Sequence, residues 1–469
     1  MTDNITTAQE TRISHDCGEA IDNNGRPKIQ FEDLPQDVMY RILSQLQPKE
    51  FARTSILSDL WLHIGKFIRE VYAVLQKHRG KVVETFEIKI DFVDSLLVSH
   101  LDNWINFIAS SRTKNLTLDL KPKRFWEYSN RYVFPFKLLG REGISRLRSM
   151  QLSFVSLKPP AWFTGFPNLR KLHLQLLHGS RTDLEDVLSH CCNLEWLHID
   201  RCHLNDDLTV DGPLSRLLYL YVDHCQFTKI ELHAVNLATF EYKGSFIPID
   251  LSNSLKLKSA NIQLGGEATI FQHILIALLN GLPNVQNLTL NIGLQHLEVG
   301  SGTVLKKQWL WDNALKFSYL RHLQLCMYIV RIEVDKVLYS LSFLRATPSI
   351  ERLEVHEYIT VMISICYFSG RCLWLADVGP RRHDLGQCKY SYLKDIWITG
   401  FKGARGQVEF LLHVVENAPA LEAVTITTQA AYKEVSPYGD SEPPFQEAKR
   451  IAITSLSVAL KPNVKFDIV

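Results

Sequence analysis

Histidine and cysteine side chains, which often bind zinc in proteins, are concentrated between positions 190 and 225. The group comprises His190, Cys191, Cys192, His198, Cys202, His203, His224 and Cys225. A structural zinc site usually takes its ligands in closely spaced pairs such as C-x-x-C, and the chain contains no such pair. The alternative is that the cysteines are small buried side chains of a repeating structure. We favour that interpretation and predict no metal site and no cofactor.

Two glycine-rich stretches, Gly265-Gly266 and residues 400–406, invite comparison with phosphate-binding loops. Neither matches G-x-x-x-x-G-K-[ST], nor G-x-G-x-x-G after a strand. No pattern for a nucleophilic serine, a zinc protease or a Cys/His pair stands out either. We predict turns at these glycines and no catalytic residue. An active site assembled from distant residues, as in a metal- or ligand-binding enzyme, stays an alternative.

The stretch LEWLHIDRCHL, from Leu194 to Leu204, carries apolar side chains at Leu194, Leu197, Ile199, Cys202 and Leu204. This is the pattern L-x-x-L-x-L-x-x-C-x-L of a leucine-rich repeat. The alternation at positions 197 and 199 predicts a short strand with two buried side chains, and Cys202 fits the turn that follows. One such unit has too little core to fold alone, so the pattern predicts copies on both sides.

Copies are present on both sides. The next unit repeats the whole pattern at Leu217, Leu220, Val222, Cys225 and Phe227. Other units begin at Leu147, Leu169, Leu237, Leu257, Val285, Leu320, Ile350, Leu393 and Leu421. The intervals are 20–25 residues in the first units and 28–43 in the later ones, which predicts longer segments outside the sheet. A core that grows with each repeat allows a chain of 469 residues to form one solenoid.

The strand positions between the buried residues form two rows of outward side chains. The first row is His173, His198, Tyr221, Glu241 and Asn261, and the second is Gln175, Asp200, Asp223, Lys243 and Gln263. Large rings with polar tips, such as those of Trp196, Tyr219 and Tyr221, are favoured at binding hot spots. The predicted target-binding residues are Trp196, His198, Asp200, Tyr219, Tyr221 and Asp223. The alternative is that they are ordinary solvated strand residues.

Composition restricts the class of protein. A formal net charge of +2 disfavours a general nucleic-acid surface, which needs clustered Lys and Arg. Nine scattered cysteines and a polar N-terminus without an apolar segment are typical of a reducing compartment. The apolar stretches 270–282 and 358–368 are shorter than the roughly 20 residues that span a bilayer. We expect a soluble protein of the nucleus or cytoplasm, with no nucleic-acid or membrane partner.

The chain before the repeats divides into a tail and a helical segment. Residues 1–29 are polar, contain no aromatic side chain and are predicted to be disordered. In residues 30–67, Asp33 and Pro35 suit a helix start, and Pro48 ends that helix. The first helix has apolar residues at Leu34, Val38, Ile42, Leu43 and Leu46, a second at Phe51 and Ile56, and a third at Trp61, Ile64 and Phe67.

This helical segment resembles the F-box of plant proteins. The matching residues are Leu34-Pro35, Asp37-Val38, Ile42-Leu43-Ser44, Leu46, Ala52-Arg53-Thr54-Ser55, Leu57-Ser58 and Trp61. The resemblance implies a contact with a SKP-family adaptor, and through it with a cullin. By that resemblance the adaptor-binding residues are Leu34, Pro35, Val38, Ile42, Leu43, Leu46 and Leu57. The family commonly has one or two basic residues before the tryptophan, where this chain has Asp59-Leu60.

Between the F-box and the regular repeats, two helix-then-strand units are predicted as caps of the solenoid. The first has a helix with Ile68, Val71, Val74 and Leu75 and a strand at 83–90. The second has a helix with Leu101, Trp104, Ile105 and Ile108 and a strand at 115–120.

After an irregular segment at 357–392, residues 392–427 predict a strand, a glycine-rich turn, a helix and a strand. Val408, Leu411, Leu412 and Val415 form the predicted buried stripe of that helix. A last helix and a strand at 464–469 follow. The segment resembles the FBD region of plant F-box/leucine-rich-repeat proteins at Leu393-Lys394, Gly400-Phe401, Gly403, Glu409-Phe410, Leu411-Leu412, Glu416-Asn417-Ala418 and Leu421-Glu422.

Together these features predict an α/β solenoid, in which an N-terminal three-helix F-box precedes a curved leucine-rich-repeat array with one parallel β-sheet. The expected segments are the tail at 1–29, the F-box at 30–67, the repeats with their caps at 68–380 and the FBD-like segment at 381–469. The resemblance implies a non-catalytic subunit of a SKP-cullin-F-box ubiquitin ligase that captures an unidentified protein target. A binding scaffold that promotes no ubiquitination is the alternative.

Overall fold

The computed structural model describes most of the chain from residue 59 onward. The described residues are 59–77, 82–90, 97–122, 131–204, 206–210, 214–265, 271–294, 316–360, 384–428 and 442–469. The chain divides into two compact units, one of Met1–Lys81 with Val93–Trp104 and one of Val82–Phe92 with Ile105–Val469.

The larger unit is built on a sheet of fourteen parallel strands. Its strands in spatial order are β1 (Thr85–Lys89), β2 (Asn115–Asp119), β4 (Ser149–Ser153), β6 (Lys171–Gln175), β7 (Trp196–Asp200), β9 (Tyr219–Asp223), β11 (Thr239–Gly244), β13 (Ser259–Leu264), β14 (Asn287–Leu294), β15 (His322–Val330), β16 (Arg352–Thr360), β17 (Asp395–Thr399), β18 (Ala423–Thr427) and β19 (Lys465–Ile468). Each strand from β4 to β18 in this sheet starts two residues after a predicted repeat start. The predicted α/β solenoid with one long parallel sheet is confirmed.

Neighbouring strands of this fourteen-stranded sheet pair without a register shift, so equivalent residues of successive repeats lie side by side. Leu172 pairs with Leu197, Leu197 with Leu220 and Leu220 with Phe240. All four side chains are fully buried. Because side chains alternate between the faces of a strand, every coil adds two apolar residues to one continuous core.

The chain returns from one strand to the next by different elements along the molecule. The shorter repeats return partly through a second parallel sheet of β8 (Asp206–Val210), β10 (Phe227–Leu232) and β12 (Ile249–Asp250). The short strands β3 (Tyr132–Val133) and β5 (Val155–Ser156) form a third sheet. Longer returns contain helices α3 (Phe136–Arg146), α4 (Arg181–Ser189), α5 (Phe271–Gly281), a 3-10 segment (Arg331–Tyr339) and α6 (Ser340–Arg345). The prediction of longer segments in the later repeats is confirmed, whereas the two small sheets were not predicted.

The residue after each of four strands adopts a left-handed backbone although it is not glycine. These residues are Phe154, Leu176, Arg201 and His224, with φ between 46° and 61°. Each donates its backbone N–H to the following coil, as Arg201 does to the Asp223 carbonyl at 2.8 Å. The change of direction sends the next residue of the chain inward, which places Val155, Leu177 and Cys202 in the core.

In the smaller unit, helix α1 (Asp59–Lys77) is continuous across position 67, where the sequence suggested a break between two helices. No proline interrupts this stretch. Ile68 is buried as predicted, but Val74 is 53% exposed, so its placement in the apolar stripe was wrong. Tyr72 packs in this region instead: its hydroxyl lies 3.0 Å from His100 Nδ1 and its ring 6.3 Å from that of Trp104. His100 and Trp104 belong to helix α2 (Val98–Ser110).

The FBD-like segment has the predicted order of elements: β17, helix α7 (Arg405–Asn417), β18, helix α8 (Glu442–Leu456) and β19. The predicted stripe of α7 was partly wrong. Val408 and Leu412 are half-buried, whereas Phe410 and Val414 are fully buried. The reason is that α7 packs against both the 3-10 segment at 331–339 and α8, so apolar residues are needed on more than one side.

The side chain of Gln407 links the start of α7 to strand β16 by hydrogen bonds. Its Nε2 donates to Glu357 Oε2 at 2.9 Å and to the Gly400 carbonyl at 3.2 Å. Its Oε1 accepts from the backbone N–H groups of Lys402 and Ala404 at 2.9 and 3.2 Å. Gly400 has φ +78°, and a Cβ there would collide with the Glu357 carbonyl oxygen, so only glycine fits.

Glu357 is 1% exposed, and its Oε1 has no hydrogen-bond partner among the described residues. Burial raises the pKa of this carboxyl to about 8. A folded-state pKa above the unfolded value stabilises the protein below the unfolded pKa, and that contribution is lost as the pH rises through about 8.

Glu357→Gln is therefore expected to make the protein less sensitive to alkaline pH. Relative to the wild type, the free energy of unfolding of the variant should rise by at most roughly 1.4 kcal/mol per pH unit between about pH 5 and 8. Melting temperatures at pH 5, 7 and 9 measure this gap. Glu447→Gln, which removes an exposed carboxyl of α8, is the control and should show no comparable widening. If the difference in melting temperature between Glu357→Gln and the wild type stays constant with pH, the raised pKa of Glu357 is contradicted.

Candidate binding surface on the parallel sheet

The two predicted outward rows are confirmed by the strand pairing. His173, His198, Tyr221, Glu241 and Asn261 pair in succession, and so do Gln175, Asp200, Asp223, Lys243 and Gln263. A third row precedes them, in which Trp196 pairs with Lys171 on one side and Tyr219 on the other. Since parallel strands are about 4.8 Å apart, each row presents one side chain per coil at about that spacing.

Trp196, His198, Tyr219 and Tyr221 form a continuous set of rings, which we call the aromatic surface. The rings of Trp196 and Tyr219 are parallel within 4°, with centroids 5.6 Å apart. His198 lies 5.3 Å from the Trp196 ring and 4.2 Å from that of Tyr221. All four side chains are half-buried, so the rings hold each other in place while part of each faces solvent.

Carboxylates on three consecutive coils border the aromatic surface. Tyr219 donates its hydroxyl to Glu241 Oε1 at 2.9 Å, and Tyr221 donates to Asp223 Oδ2 at 2.7 Å. Asp200 accepts from the Gln175 amide. Asp200 was expected to face solvent, but it is only 9% exposed, and the Gln175 amide bonds one of its carboxylate oxygens. The binding role of the six predicted target-binding residues stays a prediction.

Burial sets the ionisation of this region. It lowers the pKa of His173 to about 4, and it also lowers the pKa of His198. Burial, together with the adjacent carboxylates, raises the pKa of both Tyr219 and Tyr221. At Asp223 burial acts to raise the pKa, but the hydrogen bonds from Tyr221 and His224 outweigh it and the pKa is lowered. At neutral pH His173, His198 and both phenols are thus neutral, and Asp223 is charged.

His173 stacks on His198 with ring centroids 4.1 Å apart and 21° between the planes. Its Nε2 is buried without a hydrogen-bond partner among the described residues. Two imidazoles this close disfavour each other's protonation, which adds to the effect of burial.

The cysteines of the repeat pattern occupy the predicted turns. Cys202 Sγ lies 3.5 Å from the Asp200 carbonyl oxygen, and Cys225 Sγ lies 3.4 Å from the Cys202 backbone nitrogen. Burial raises the pKa of Cys191 to about 12 and also raises that of Cys225. The thiolate form that metals require is therefore disfavoured. No group of three potential ligands within the described ranges is arranged to hold a metal ion.

A second polar cluster lies further along the same face and was not predicted. Glu354 accepts from Arg352 Nε at 2.8 Å and lies 3.1 Å from His322 Nε2 and 3.4 Å from His356 Nε2. His356 Nδ1 lies 3.0 Å from Thr399 Oγ1. Hydrogen bonds with the two histidines outweigh desolvation and lower the pKa of Glu354.

The repeat pattern contained the signal for this cluster. Extending the first outward row beyond Asn261 gives Thr289, Gln324, Glu354 and Trp397 in that order. The phase of the later repeats was predicted, so the row could have been continued. The ion pairs themselves could not be derived, because they depend on side-chain conformations across neighbouring strands.

The predicted adaptor-binding residues lie outside the described part of the chain. They are Leu34, Pro35, Val38, Ile42, Leu43, Leu46 and Leu57. Within the described residues, no helix is both long enough and apolar enough to cross a membrane.

Comparison with known proteins gave a family match and several relatives. The family model described as "At1g61320/AtMIF1, LRR domain" matches residues 74–453. The F-box/FBD/LRR-repeat protein At1g13570 of Arabidopsis thaliana is 23% identical over 433 residues, covering 86% of this chain and 92% of the relative. The F-box/FBD/LRR-repeat protein At4g26340 of the same plant is 21% identical, covering 85% and 92%. The F-box protein At5g03100, also from Arabidopsis thaliana, is 23% identical over 49% of this chain and 75% of its own length.

Metal removal is expected to leave the protein intact. Dialysis against a strong chelator should shift the melting temperature by less than about 1 °C, because the buried thiols pack in turns and bind no ion. Differential scanning calorimetry before and after dialysis measures this. A fall in melting temperature that added zinc reverses would contradict the structural role of Cys202 and Cys225.

Glu354→Gln is expected to destabilise the protein at neutral pH. A lowered carboxyl pKa contributes stability above the unfolded value, and this contribution is lost as the pH falls through the folded value. The loss at pH 7 should be roughly 1–3 kcal/mol, the usual effect of disrupting a charged hydrogen-bond network. Denaturant titrations at pH 7 and pH 3 measure the free energy of unfolding. The difference between variant and wild type should shrink at pH 3, which lies well below the unfolded carboxyl pKa of about 4.3. An equal difference at both values would refute the charged state assigned to Glu354.

Proposed function

This chain belongs to the At1g61320/AtMIF1 leucine-rich-repeat family, and from that premise we propose that it is the substrate-recognition subunit of a SKP-cullin-F-box ubiquitin ligase. The predicted resemblance to plant F-box/leucine-rich-repeat proteins with an FBD-like segment is confirmed by the relatives. In the proposed function, the F-box binds a SKP-family adaptor and the repeats bind a protein target.

The single observation that carries the proposal is the coincidence of two independent features in one chain. The F-box pattern at residues 30–67 is followed by an in-register repeat sheet with an outward aromatic surface. Two relatives that are matched over 92% of their own length carry both F-box and LRR-repeat in their names.

The adaptor contact is proposed for the apolar ridge of the F-box. Leu34, Val38, Ile42 and Leu46 recur every four residues, so a helix presents them as one stripe. Three helices in about 40 residues have a small core, and domains of that size commonly depend on a partner for stability. A core this small leaves part of the apolar stripe uncovered. We propose that an adaptor protein covers that part.

Target capture is proposed for the aromatic surface with Asp200 and Asp223. Its side chains are already ordered by mutual contacts, so binding costs little additional conformational entropy. Tryptophan and tyrosine are also the side chains most enriched at interface hot spots. The target is a protein that has not been identified, and no nucleic acid or membrane is part of the proposed function.

The proposed mechanism is proximity. A target held on the repeats is presented to the conjugating enzyme at an effective concentration of about millimolar, which replaces a dilute encounter. This chain supplies no catalytic residue and needs no cofactor. The nucleus and the cytoplasm are the proposed locations.

The proposed segments are the tail at 1–29, the F-box at 30–67, the repeats with their caps at 68–380 and the FBD-like segment at 381–469. Helix α1 crosses the boundary at 67 without interruption, so the F-box and the first cap share one helix in this layout.

One observation favours a second candidate function. Asp59-Leu60 replaces the basic residues that commonly precede the tryptophan of the F-box. A weaker contact between the F-box and the adaptor at this position would make the protein a scaffold that binds its target without promoting ubiquitination. Reconstitution with adaptor and cullin separates the two: an adaptor complex that does not bind the cullin supports the scaffold.

Ile42→Glu and Leu46→Glu are each expected to abolish binding to a SKP-family adaptor. A charge on the apolar stripe must be desolvated at the interface, which should weaken binding by at least about a hundredfold. Pull-down with purified adaptor measures the loss, and far-ultraviolet circular dichroism checks that the repeats remain folded.

Leu255→Glu is the control, because Leu255 is 72% exposed on a turn of the repeats and the change introduces the same charge. It should bind the adaptor as the wild type does. Unchanged binding of both F-box variants would refute the proposed adaptor contact.

A further inference from the structure

The three carboxylates that border the aromatic surface each accept a hydrogen bond from a neutral donor. Glu241 and Asp223 accept phenol hydrogens from Tyr219 and Tyr221, and Asp200 accepts from the Gln175 amide. Neutral donors fix the position of a carboxylate without cancelling its charge, unlike a lysine or arginine partner. The surface thus presents oriented negative charge beside its rings.

The basic groups next to these carboxylates are largely exposed or bonded elsewhere. His224 Nδ1 contacts Asp223 Oδ1 with its side chain 64% exposed. Lys121 Nζ donates to Gln175 Oε1 at 2.8 Å. Arg201 Nε lies 3.8 Å from Asp200 Oδ1, but its side chain is 58% exposed, so the attraction is largely screened. In the three rows on β6, β7, β9 and β11, the remaining cations are Lys171 and Lys243, at opposite corners.

Lys243 shows how a cation sits on this surface. Its Nζ lies 5.5 Å from the centroid of the Tyr221 ring, within the range of a cation–π contact. Lys243 pairs with Asp223 in the second outward row, so the ammonium is near both a ring and a carboxylate. The chain itself therefore places a lysine head group on a tyrosine ring beside Asp223.

The neighbouring pair of rings carries no such cation. Among the described residues, the cation–π contacts are those of Arg131 with Phe154 and of Lys243 with Tyr221. Trp196 and Tyr219 have the same kind of ring, with Glu241 bound to the Tyr219 hydroxyl. Trp196 and Tyr219 therefore place rings beside a carboxylate, as Tyr221 does beside Asp223, but within the described residues no cation lies on these two rings.

We propose that the aromatic surface selects target proteins through an exposed, unmodified basic segment, with a Lys or Arg side chain on Trp196 and Tyr219 and its charge directed to Glu241 and Asp223. The inference rests on the proposed function for the idea that this surface captures a target, and it adds the chemistry of the segment. The apolar stem of the side chain covers the rings while its head group meets the carboxylates. A phosphorylated or acidic segment is repelled by the same carboxylates.

The test uses the purified full-length chain and two fluorescent ten-residue peptides. One has two arginines flanking a tryptophan in a Gly-Ser background, and the other has glutamates in place of the arginines. Fluorescence polarisation at low salt should show that the arginine peptide binds at least about tenfold more tightly, because two cation contacts with rings and carboxylates are gained. Equal binding of the two peptides, or tighter binding of the glutamate peptide, overturns the inference.

Variants of the carboxylates test whether the arginine peptide binds at the aromatic surface. The double variant Asp223→Asn, Glu241→Gln should weaken binding of the arginine peptide about tenfold, because both carboxylates lose their charge. Glu87→Gln is the matched control, since Glu87 occupies the same outward row on β1 and is itself paired with Lys89. Wild-type affinity in the double variant would place the binding elsewhere and overturn the inference.

Lys243→Gln provides a test that does not depend on a loss of binding. Removing the resident ammonium frees the Tyr221 ring and makes the surface more negative, so the arginine peptide should bind about threefold more tightly. Weaker binding in this variant contradicts the inference. None of these measurements includes the adaptor, so their failure would leave the adaptor pull-down, and with it the proposed function, to be judged separately.

Discussion

The backbone ladder between successive coils is the constraint on which the rest of the structure depends. Each strand pairs in parallel with the next at the same register, from β1 to β19. A slip of one residue would turn every side chain of a strand to the opposite face, exposing its apolar residues. The two buried positions of each repeat therefore enforce the register, and the register in turn aligns every other position of the strand.

The same constraint organises the outward face. Side chains that are 20 or more residues apart in sequence are brought into direct contact, as with Trp196 and Tyr219 or His198 and Tyr221. These contacts order polar and aromatic groups without an enclosed pocket around them. The pattern of side chains on this surface is thus set along two directions, one along each strand and one across the coils.

The sequence was most informative where a physical period governs the structure. The strand phase was predicted for the repeats because the two apolar positions of each strand must face one core, and the interval between repeats indicated which returns are long. Contacts outside that period were not predictable. The stripe of α7 depended on the packing of the 3-10 segment and α8, the burial of Asp200 depended on one amide of the neighbouring coil, and the Glu354 cluster depended on side-chain conformations.

The left-handed residues Phe154, Leu176, Arg201 and His224 adjoin the coils that carry and border the aromatic surface. An L-residue in this conformation costs roughly 1–2 kcal/mol, and glycine or asparagine relieves part of that cost. Exchanges at Arg201 and His224 would also alter the border of the aromatic surface, because their side chains contact Asp200 and Asp223, whereas the side chains of Phe154 and Leu176 are buried in the core. Relief of this backbone strain by glycine or asparagine would therefore remove either a core side chain or a contact with a bordering carboxylate.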